Sequence, residues 1–262
     1  MKKIQSAAVA GLFYPADAEQ LRREVGQFLN AATPGRVTLA KALIAPHAGY
    51  IYSGPIAGNA YAQIKQQADL ISRVVILAPA HRVAVSGLAL SSAAVFRTPL
   101  GDIQVDQKGV QSIIGLPQVR RLDAAFENEH SIEVHLPFLQ ETLRQFSIVP
   151  LLVGDAEPYQ VEEVLERLWG GDETLIVISS DLSHYLDYET ARTMDRQATR
   201  AIEALQPDQL TSQHACGSIP VNGLLLAARR HHLKVRTLDL RNSGDTAGPR
   251  NQVVGYGAYA FS

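Results

Sequence analysis

Three histidines follow short apolar runs at widely separated points of this sequence. His47 comes after "KALIAP", His81 after "RVVILAPA", and His184 after "TLIVISSDLS". Such runs are typical of buried strands, and α/β proteins bind ligands beyond the carboxyl ends of their parallel strands. A single loop histidine is more often a surface residue, but three in equivalent positions are not easily explained that way. Because imidazole is the commonest metal ligand, the pattern predicts a metal or catalytic site at one edge of a sheet.

The single cysteine, Cys216, lies in "HACGSIPVNGLLLAARR". Gly217 and Pro220 indicate the start of a helix, whose positive dipole end favours a thiolate. A thiolate suits either metal binding or nucleophilic attack. The alternative to both functional interpretations is an inert buried cysteine. His214, two residues earlier, is a further candidate partner of the sulfur. One cysteine excludes an internal disulfide and weakly indicates a reducing compartment.

A third group of polar residues lies in "ENEHSIEVHLPF", residues 127–138. His130 is expected to line the site. His135 falls on the apolar face of a predicted helix, so we interpret it either as a core histidine with a hydrogen-bond partner or as part of a pocket wall. Tyr50 and Tyr52, in the glycine-rich "HAGYIYSGPIAGNAY", are candidates for a wall that accepts an aromatic ligand.

Predicted strands and helices alternate along the chain, which is typical of an α/β sheet with helices on both faces. No linker-like segment interrupts the pattern, so one domain over residues 1–262 is expected. Strands are predicted at residues 41–46, 73–79, 146–154 and 174–179, with shorter strands in "SGLALSS" and "VFRTPLGDIQVD" and a pair of strands near the end. Helices are predicted at residues 18–31, 53–64, 132–143, 161–168, 189–205 and 219–230.

The composition excludes several classes of function. The chain has 262 residues, 46% of them apolar, and a formal net charge of −2 without a basic tract, so binding of nucleic acid is not expected. No apolar run approaches the roughly 18 residues of a membrane-spanning helix. Polar and acidic residues interrupt the N-terminal apolar stretch, which argues against a signal peptide. We therefore expect a cytoplasmic protein without a membrane association.

Six motifs resemble those of one known family. They are "AAVAGLFYP", "IAPHAGYIYSGPIAGNAY", "LAPAHR", "FENEHSIEVHLPFL", "SSDLSHY" and "ACGSIPV", which occur in order between Ala7 and Val221. Together they resemble the Memo family, also called AmmeMemoRadiSam system protein B, which is similar to the LigB-type class III extradiol dioxygenases. The resemblance implies a LigB-like three-layer α/β/α domain around a central sheet that is mostly parallel or mixed.

The resemblance also implies a set of site residues. His47, His81 and Cys216 correspond to the metal ligands of Memo-like proteins, and His184 corresponds to the acid–base histidine of the dioxygenases, with Asp181 beside it to orient it. The dioxygenases use a carboxylate where Cys216 stands here. Because a thiolate is a softer ligand, copper(I) or zinc competes better with iron(II) at such a site. The expected ion is iron or copper, with zinc as a further option.

Three functions remain open from the sequence. The first is a redox metalloprotein that acts on a small substrate, an aromatic one being an option. The second is a scaffold that uses the same pocket to bind a peptide or partner protein, and the family's system name implies a radical-SAM protein in the same pathway. The third is a cysteine hydrolase with Cys216 as nucleophile and His184 or His214 as base; it ranks last because it leaves His47 and His81 without a role.

Overall fold

Strands from nearly the whole chain join one mixed sheet in the computed structural model, which describes residues 3–33 and 39–262. Within those ranges there are twelve strands: Ile4–Gln5 (β1), Ala42–Ala45 (β2), Arg73–Pro79 (β3), Leu88–Leu90 (β4), Val95–Thr98 (β5), Gly101–Val105 (β6), Val119–Arg121 (β7), Ser147–Val153 (β8), Thr174–Ser179 (β9), His184–Leu186 (β10), Val235–Asn242 (β11) and Val253–Phe261 (β12). The strand order is β1-β5-β6-β8-β3-β9-β2-β12-β10, with β11 beside β12 and with β4 between β7 and β8.

Helices flank this sheet. The described residues form seven α-helices: Ala18–Ala31 (α1), Tyr50–Tyr61 (α2), Gln107–Ile113 (α3), Leu136–Thr142 (α4), Pro158–Leu168 (α5), Tyr188–Glu203 (α6) and Ser218–Arg230 (α7). Five 3-10 segments accompany them: Ala62–Gln67, Asp123–Phe126, Glu133–His135, Pro207–Gln209 and Ser243–Asp245. Helix α1 packs on α2 and α4, whereas α5 packs on α3 and α7. The predicted α/β class with a mixed central sheet is confirmed.

The four middle strands, β8, β3, β9 and β2, run parallel. Apart from the first residues of β8 and β3, every residue in them is buried, which is why the sequence shows them as continuous apolar runs and not as alternating ones. Their carboxyl ends therefore lie at one edge of the sheet, as predicted from the histidines that follow the apolar runs. Strand β9 lies between β2 and β3, although it follows both by about a hundred residues of chain.

Most predicted elements occur close to their predicted positions. Helix α1 has the predicted bounds, and Asp17 caps it by accepting a hydrogen bond from Gln20 N. Helix α2 begins at Tyr50, three residues earlier than predicted, because Gly49 serves as its N-cap. Pro137 lies in the first turn of α4, where a missing N–H costs nothing. Helix α3 and strands β1, β7 and β10 were not predicted.

None of the helices in the described ranges combines the length and the apolarity that crossing a bilayer requires.

Candidate metal centre

The order of the middle strands brings two distant histidines together. His47 lies two residues after β2, and His81 lies two residues after β3. Strand β9 lies between β2 and β3 and pairs with both of them. The segment that follows β9 therefore begins between the two histidines. The imidazole rings of His47 and His81 are 5.1 Å apart between centroids and nearly perpendicular. Equivalent positions on parallel strands thus become neighbours in space, as predicted from the sequence.

Cys216 completes this group from the loop before α7. Its Sγ lies 3.4 Å from His47 Nε2 and 3.6 Å from the Asp181 carbonyl oxygen. Gly217 allows this approach, since a Cβ there would lie 2.6 Å from the Ser179 carbonyl oxygen. One ligand atom from each of His47, His81 and Cys216 lies within 4.8 Å of the other two.

The donor set and its spacing fit a transition-metal ion. Two imidazole nitrogens and one sulfur are typical ligands of zinc, copper and iron. Ligands at about 2.0–2.3 Å from one tetrahedral ion lie about 3.5 Å from each other, which matches the 3.4 Å between Cys216 Sγ and His47 Nε2. With only three protein ligands, an ion held here keeps at least one open position.

The protonation of Cys216 corrects one prediction. Burial, with a contribution from the Asp181 carboxylate, raises the pKa of the Cys216 thiol to about 12, so the helix start does not produce a thiolate in the protein alone. Desolvation of the thiolate by the surrounding protein is the largest cause of this raised pKa, and it outweighs the helix dipole. A cation beside the sulfur favours the deprotonated form, and a thiol that coordinates a metal loses its proton. This environment therefore suits a metal ligand better than a free nucleophile.

The two metal-site histidines have different surroundings. His47 is 2% exposed, and burial lowers its pKa well below the ordinary value, so the ring is neutral. His81 is partly exposed, and Glu129 contacts it twice: Oε2 accepts a hydrogen bond from His81 N at 2.6 Å, and Oε1 lies 3.1 Å from His81 Nδ1. Burial would raise the pKa of Glu129, but its hydrogen bonds to His81 and to the Ser131 N–H lower it to about 2. Glu129 is thus an ionised carboxylate.

His130 lies beside both candidate ligands, as predicted. Its ring stacks on that of His81, with centroids 5.0 Å apart and an angle of 15°, and it lies 5.5 Å from the His47 ring. Phe13 covers another side of it, at 4.6 Å between centroids. Burial lowers the pKa of His130, so this ring is also neutral when the pH is near 7. His130 therefore lies next to both candidate ligands and lines the cavity beside them.

The predicted partnership of Asp181 and His184 does not occur. The Asp181 carboxylate accepts a hydrogen bond from the backbone N–H of His47 at 2.8 Å, and its other oxygen lies 3.9 Å from His47 Nε2. His184 Nδ1 instead lies 2.8 Å from the Leu182 carbonyl oxygen, an acceptor that orients the ring. Asp181 therefore positions the loop of His47, and the backbone positions His184. Burial raises the pKa of Asp181 above its usual range.

Two cavities meet at the candidate metal site. One, of about 600 Å³, is lined by His47, His81, His130, Asp181, His184, Phe13, Ala48, Gly49, Tyr52, Tyr185, Ser243, Gly248, Pro249, Gln252, Val254 and Tyr256. The other, of about 660 Å³, is lined by His81, His184, Tyr185, Leu186, Met194, Ser212, Gln213 and Cys216. The ligand group is thus reachable from two sides, with the imidazole of His47 on one side and the sulfur on the other.

Tyr50 and His135 lie behind the pocket wall and not in it. Tyr50 is buried and donates its hydroxyl hydrogen to the Val134 carbonyl oxygen at 2.7 Å. His135 is 1% exposed, and its Nδ1 lies 2.9 Å from the Tyr61 hydroxyl oxygen. Burial lowers the pKa of His135 to about 3. The pocket interpretation of these two residues is corrected, and the core interpretation of His135 describes what the structure shows.

His214 does not contact the sulfur in the structure. Its Nδ1 lies 3.0 Å from the Thr211 hydroxyl, which closes a local turn. The aromatic wall contains Tyr52, which the sequence suggested, and also Phe13, Tyr185 and Tyr256, which it did not. Phe13 lies in the motif "AAVAGLFYP", which could have identified it as a residue near the site. The periodicity of that segment gave no such indication.

A buried carboxylate holds the segment that carries Phe13. Glu133 Oε2 accepts a hydrogen bond from Ala8 N at 2.6 Å, and Oε1 accepts from Val9 N at 2.9 Å and from the Tyr14 hydroxyl at 2.6 Å. Hydrogen bonds to a charged group are about twice as strong as neutral ones. Glu133 therefore fixes residues 8–14 against the site.

Replacement of Glu133 by glutamine is expected to destabilise the fold by about 2–3 kcal/mol. The amide NH₂ must face at least one of the three donors, which leaves a buried N–H or O–H without an acceptor. Chemical denaturation of both proteins gives the free energy of unfolding. Glu141→Gln is the matched control, because it breaks only a partly exposed ion pair with Arg22 and should cost less than about 1 kcal/mol. Equal losses in the two variants would contradict the anchoring role of Glu133.

Comparisons with known proteins agree with the motifs. The family model described as "Memo-like protein" matches residues 5–260. A "MEMO1 family protein" of Aquifex aeolicus is 36% identical over 266 residues, which cover 97% of each chain. The "Protein memo-1 homolog" of Caenorhabditis elegans is 34% identical, over 87% of this chain and 72% of that one.

One solved structure, of an uncharacterized protein from Escherichia coli K12, is also similar. It is 12% identical, covers 82% of this chain and 98% of its own, and has a TM-score of 0.49. The match of the family model over nearly the full length, together with relatives at more than 30% identity, shows that this chain belongs to the Memo family.

Proposed function

We propose that this protein binds one iron or copper ion through His47, His81 and Cys216 and acts as an oxidoreductase on a small molecule. One observation carries the proposal: two imidazole nitrogens and a sulfur from three distant parts of the chain lie within 4.8 Å of one another. Cys216 Sγ and His47 Nε2, 3.4 Å apart, are spaced as two ligands of one ion are. A shared cation gives all three a partner.

The donor set favours a redox-active ion. Thiolate and imidazole together suit copper and iron, and zinc is bound by the same ligands. A bound iron or copper ion supplies electron transfer and Lewis-acid chemistry. The open coordination position and the two cavities leave room for a substrate and a second reactant next to the ligand group.

The chain's own residues would bind the substrate and move its proton. Tyr52, Tyr256 and Phe13 form an aromatic wall along the cavity of about 600 Å³, which suits a planar substrate. His184 lines both cavities, and its Nδ1 donates to the Leu182 carbonyl, so in the neutral ring Nε2 is the nitrogen with the lone pair. His184 is therefore the residue that would take a proton from the substrate, because it is accessible and properly oriented.

The hydrolase hypothesis has less support. A cysteine nucleophile needs a base within hydrogen-bond reach and a low pKa. The base nearest to Cys216 Sγ is His47, not His184 or His214, and burial raises the pKa of the thiol. If His47 were the base, His81 would have no role in the reaction.

Metal analysis of the protein tests the proposal. The protein is purified without oxygen and without a histidine tag, since a nickel column can load the wrong ion. We expect about one equivalent of iron or copper, and stoichiometric uptake of Fe²⁺ or Cu⁺ by protein stripped with a chelator. Oxygen uptake by the loaded protein is then measured with a panel of catechol-type compounds. Failure to retain either ion would refute the metal site; tight metal binding with compound binding but no oxygen uptake would favour a scaffold.

A further inference from the structure

The tautomer of His47 follows from one hydroxyl group. Ser179 Oγ lies 2.7 Å from the Ser131 carbonyl oxygen and 2.6 Å from His47 Nδ1. A carbonyl can only accept, and a serine hydroxyl has one hydrogen. Ser179 must therefore donate to Ser131 and accept from His47 Nδ1–H. Neutral His47 then has no hydrogen on Nε2, and the lone pair of that nitrogen is directed to the side where Cys216 Sγ lies, 3.4 Å away.

The tautomer of His81 follows from a carboxylate. Glu129 Oε1 lies 3.1 Å from His81 Nδ1, and an ionised carboxylate can only accept. His81 Nδ1 therefore carries the hydrogen, so in the neutral ring Nε2 is the nitrogen with the lone pair. The second oxygen, Oε2, accepts from the backbone N–H of the same histidine, so the carboxylate fixes both the ring and the chain that carries it.

Both restraints come from one short segment, residues 129–131. Ser131 N donates to Glu129 Oε1 at 3.0 Å, and Ser131 Oγ donates to the carbonyl oxygen of Pro79, the last residue of β3. The Ser131 carbonyl accepts from Ser179, the last residue of β9. Ser131 is fully buried, so no water competes for these bonds. The segment thus connects the carboxyl ends of two strands and reaches both histidines.

We propose that Glu129 and Ser179, connected through Ser131, are positioning residues that hold His81 and His47 in the Nδ1–H tautomer with Nε2 directed to a common point. The consequence for metal affinity rests on the proposed function, whereas the tautomers exist in the protein without an ion. Replacing a residue that orients a metal ligand typically lowers the metal affinity by about 10–100-fold. A ring without an acceptor at Nδ1 is free to carry its hydrogen on Nε2, where it blocks coordination.

Nitrogen-15 NMR of the metal-free protein near pH 7.5 tests the tautomers directly. Long-range ¹H–¹⁵N correlations distinguish the two forms, and His47→Gln and His81→Gln variants assign the signals. We expect both wild-type rings in the Nδ1–H form. Ser179→Ala should release His47 and leave His81 unchanged, and Glu129→Ala should do the reverse. Glu129→Gln should keep His81 in the Nδ1–H form, because an amide oxygen can occupy the Oε1 position.

Ser53→Ala is the matched control. Ser53 is 1% exposed, as deeply buried as Ser179, and its hydroxyl donates to the Ala48 carbonyl without contacting a histidine. Anaerobic titration with Zn²⁺, with the thiol kept reduced, should show affinity losses of about 10–100-fold for Ser179→Ala and Glu129→Ala, and no comparable loss for Ser53→Ala.

The outcomes separate this proposal from the proposed function. An Nε2–H form of either ring in the wild-type protein would overturn the proposed positioning network. This measurement uses only the wild-type protein, so it does not depend on whether a variant folds. Unchanged tautomers in Ser179→Ala and Glu129→Ala would overturn it as well. Wild-type protein with both rings in the Nδ1–H form but without affinity for Zn²⁺, Fe²⁺ or Cu⁺ would support the positioning network and refute the metal site.

Discussion

Cys216→Ser is expected to lower the metal affinity by about 100- to 1,000-fold and to leave the fold intact. Structural zinc sites with four ligands bind the ion with about 10–16 kcal/mol. If the four ligands contribute equally, each contributes about 2.5–4 kcal/mol. Each 1.4 kcal/mol corresponds to a tenfold change in affinity. A serine hydroxyl has nearly the same shape as the thiol but does not become a soft anionic ligand. Competition titrations of the two proteins against a chelator of known affinity measure the difference.

The control for this substitution is His214→Ala. His214 lies two residues from Cys216, but it contacts Thr211 and not the sulfur. It should therefore retain wild-type affinity. Full metal occupancy of Cys216→Ser at low free metal would show that the sulfur is not a ligand, and the three-residue group would have to be abandoned. Circular dichroism of both variants checks that the sheet is unchanged.

His184→Gln is expected to reduce turnover by about 10²–10⁴-fold, with metal content close to that of the wild type. Glutamine keeps a polar side chain of similar size, but it has no nitrogen that takes up a proton near neutral pH. The rate is measured as oxygen uptake on whichever compound of the catechol-type panel the wild-type protein consumes. Metal content is measured on the same sample, so that a loss of ion is not mistaken for a loss of proton transfer.

Two outcomes would contradict this role of His184. An unchanged rate would mean that another group moves the proton, and His130, which lines the same cavity, would then be examined first. Loss of the ion together with the rate would mean that His184 supports metal binding. His214→Gln serves as the control for the histidine-to-glutamine change outside the cavity lining.

Much of the architecture was predictable because it depends on local patterns. Continuous apolar runs predicted the buried strands β2, β3, β8 and β9, and helical periodicity predicted α1 with its correct bounds. The position of His47 and His81 after such strands predicted that they would meet, since parallel strands place their carboxyl ends at one edge. The motifs of the family then added Cys216, which no periodicity connects to the histidines.

Side-chain partners were not predictable in the same way. Tyr50 and Tyr52 are two residues apart in one helix, so they point in different directions, and only the packing of α2 shows which of them faces the cavity. Asp181 lies three residues before His184 in sequence, but the backbone turn directs it to His47. Proximity in sequence suggested that Asp181 pairs with His184, which is wrong. A hydrogen bond needs a donor and an acceptor that face each other at about 3 Å, and the sequence does not show this geometry.

The residue types and their order thus predicted the α/β fold, the edge of the sheet where the candidate site lies, and the residues of the candidate metal site. The tertiary structure established the rest: the surroundings that raise the pKa of the Cys216 thiol, the network through residues 129–131, and the two cavities. The difference has a physical cause. Strand and helix formation follows from neighbours along the chain, whereas burial, tautomers and the pKa of the thiol depend on groups that folding brings from more than a hundred residues away.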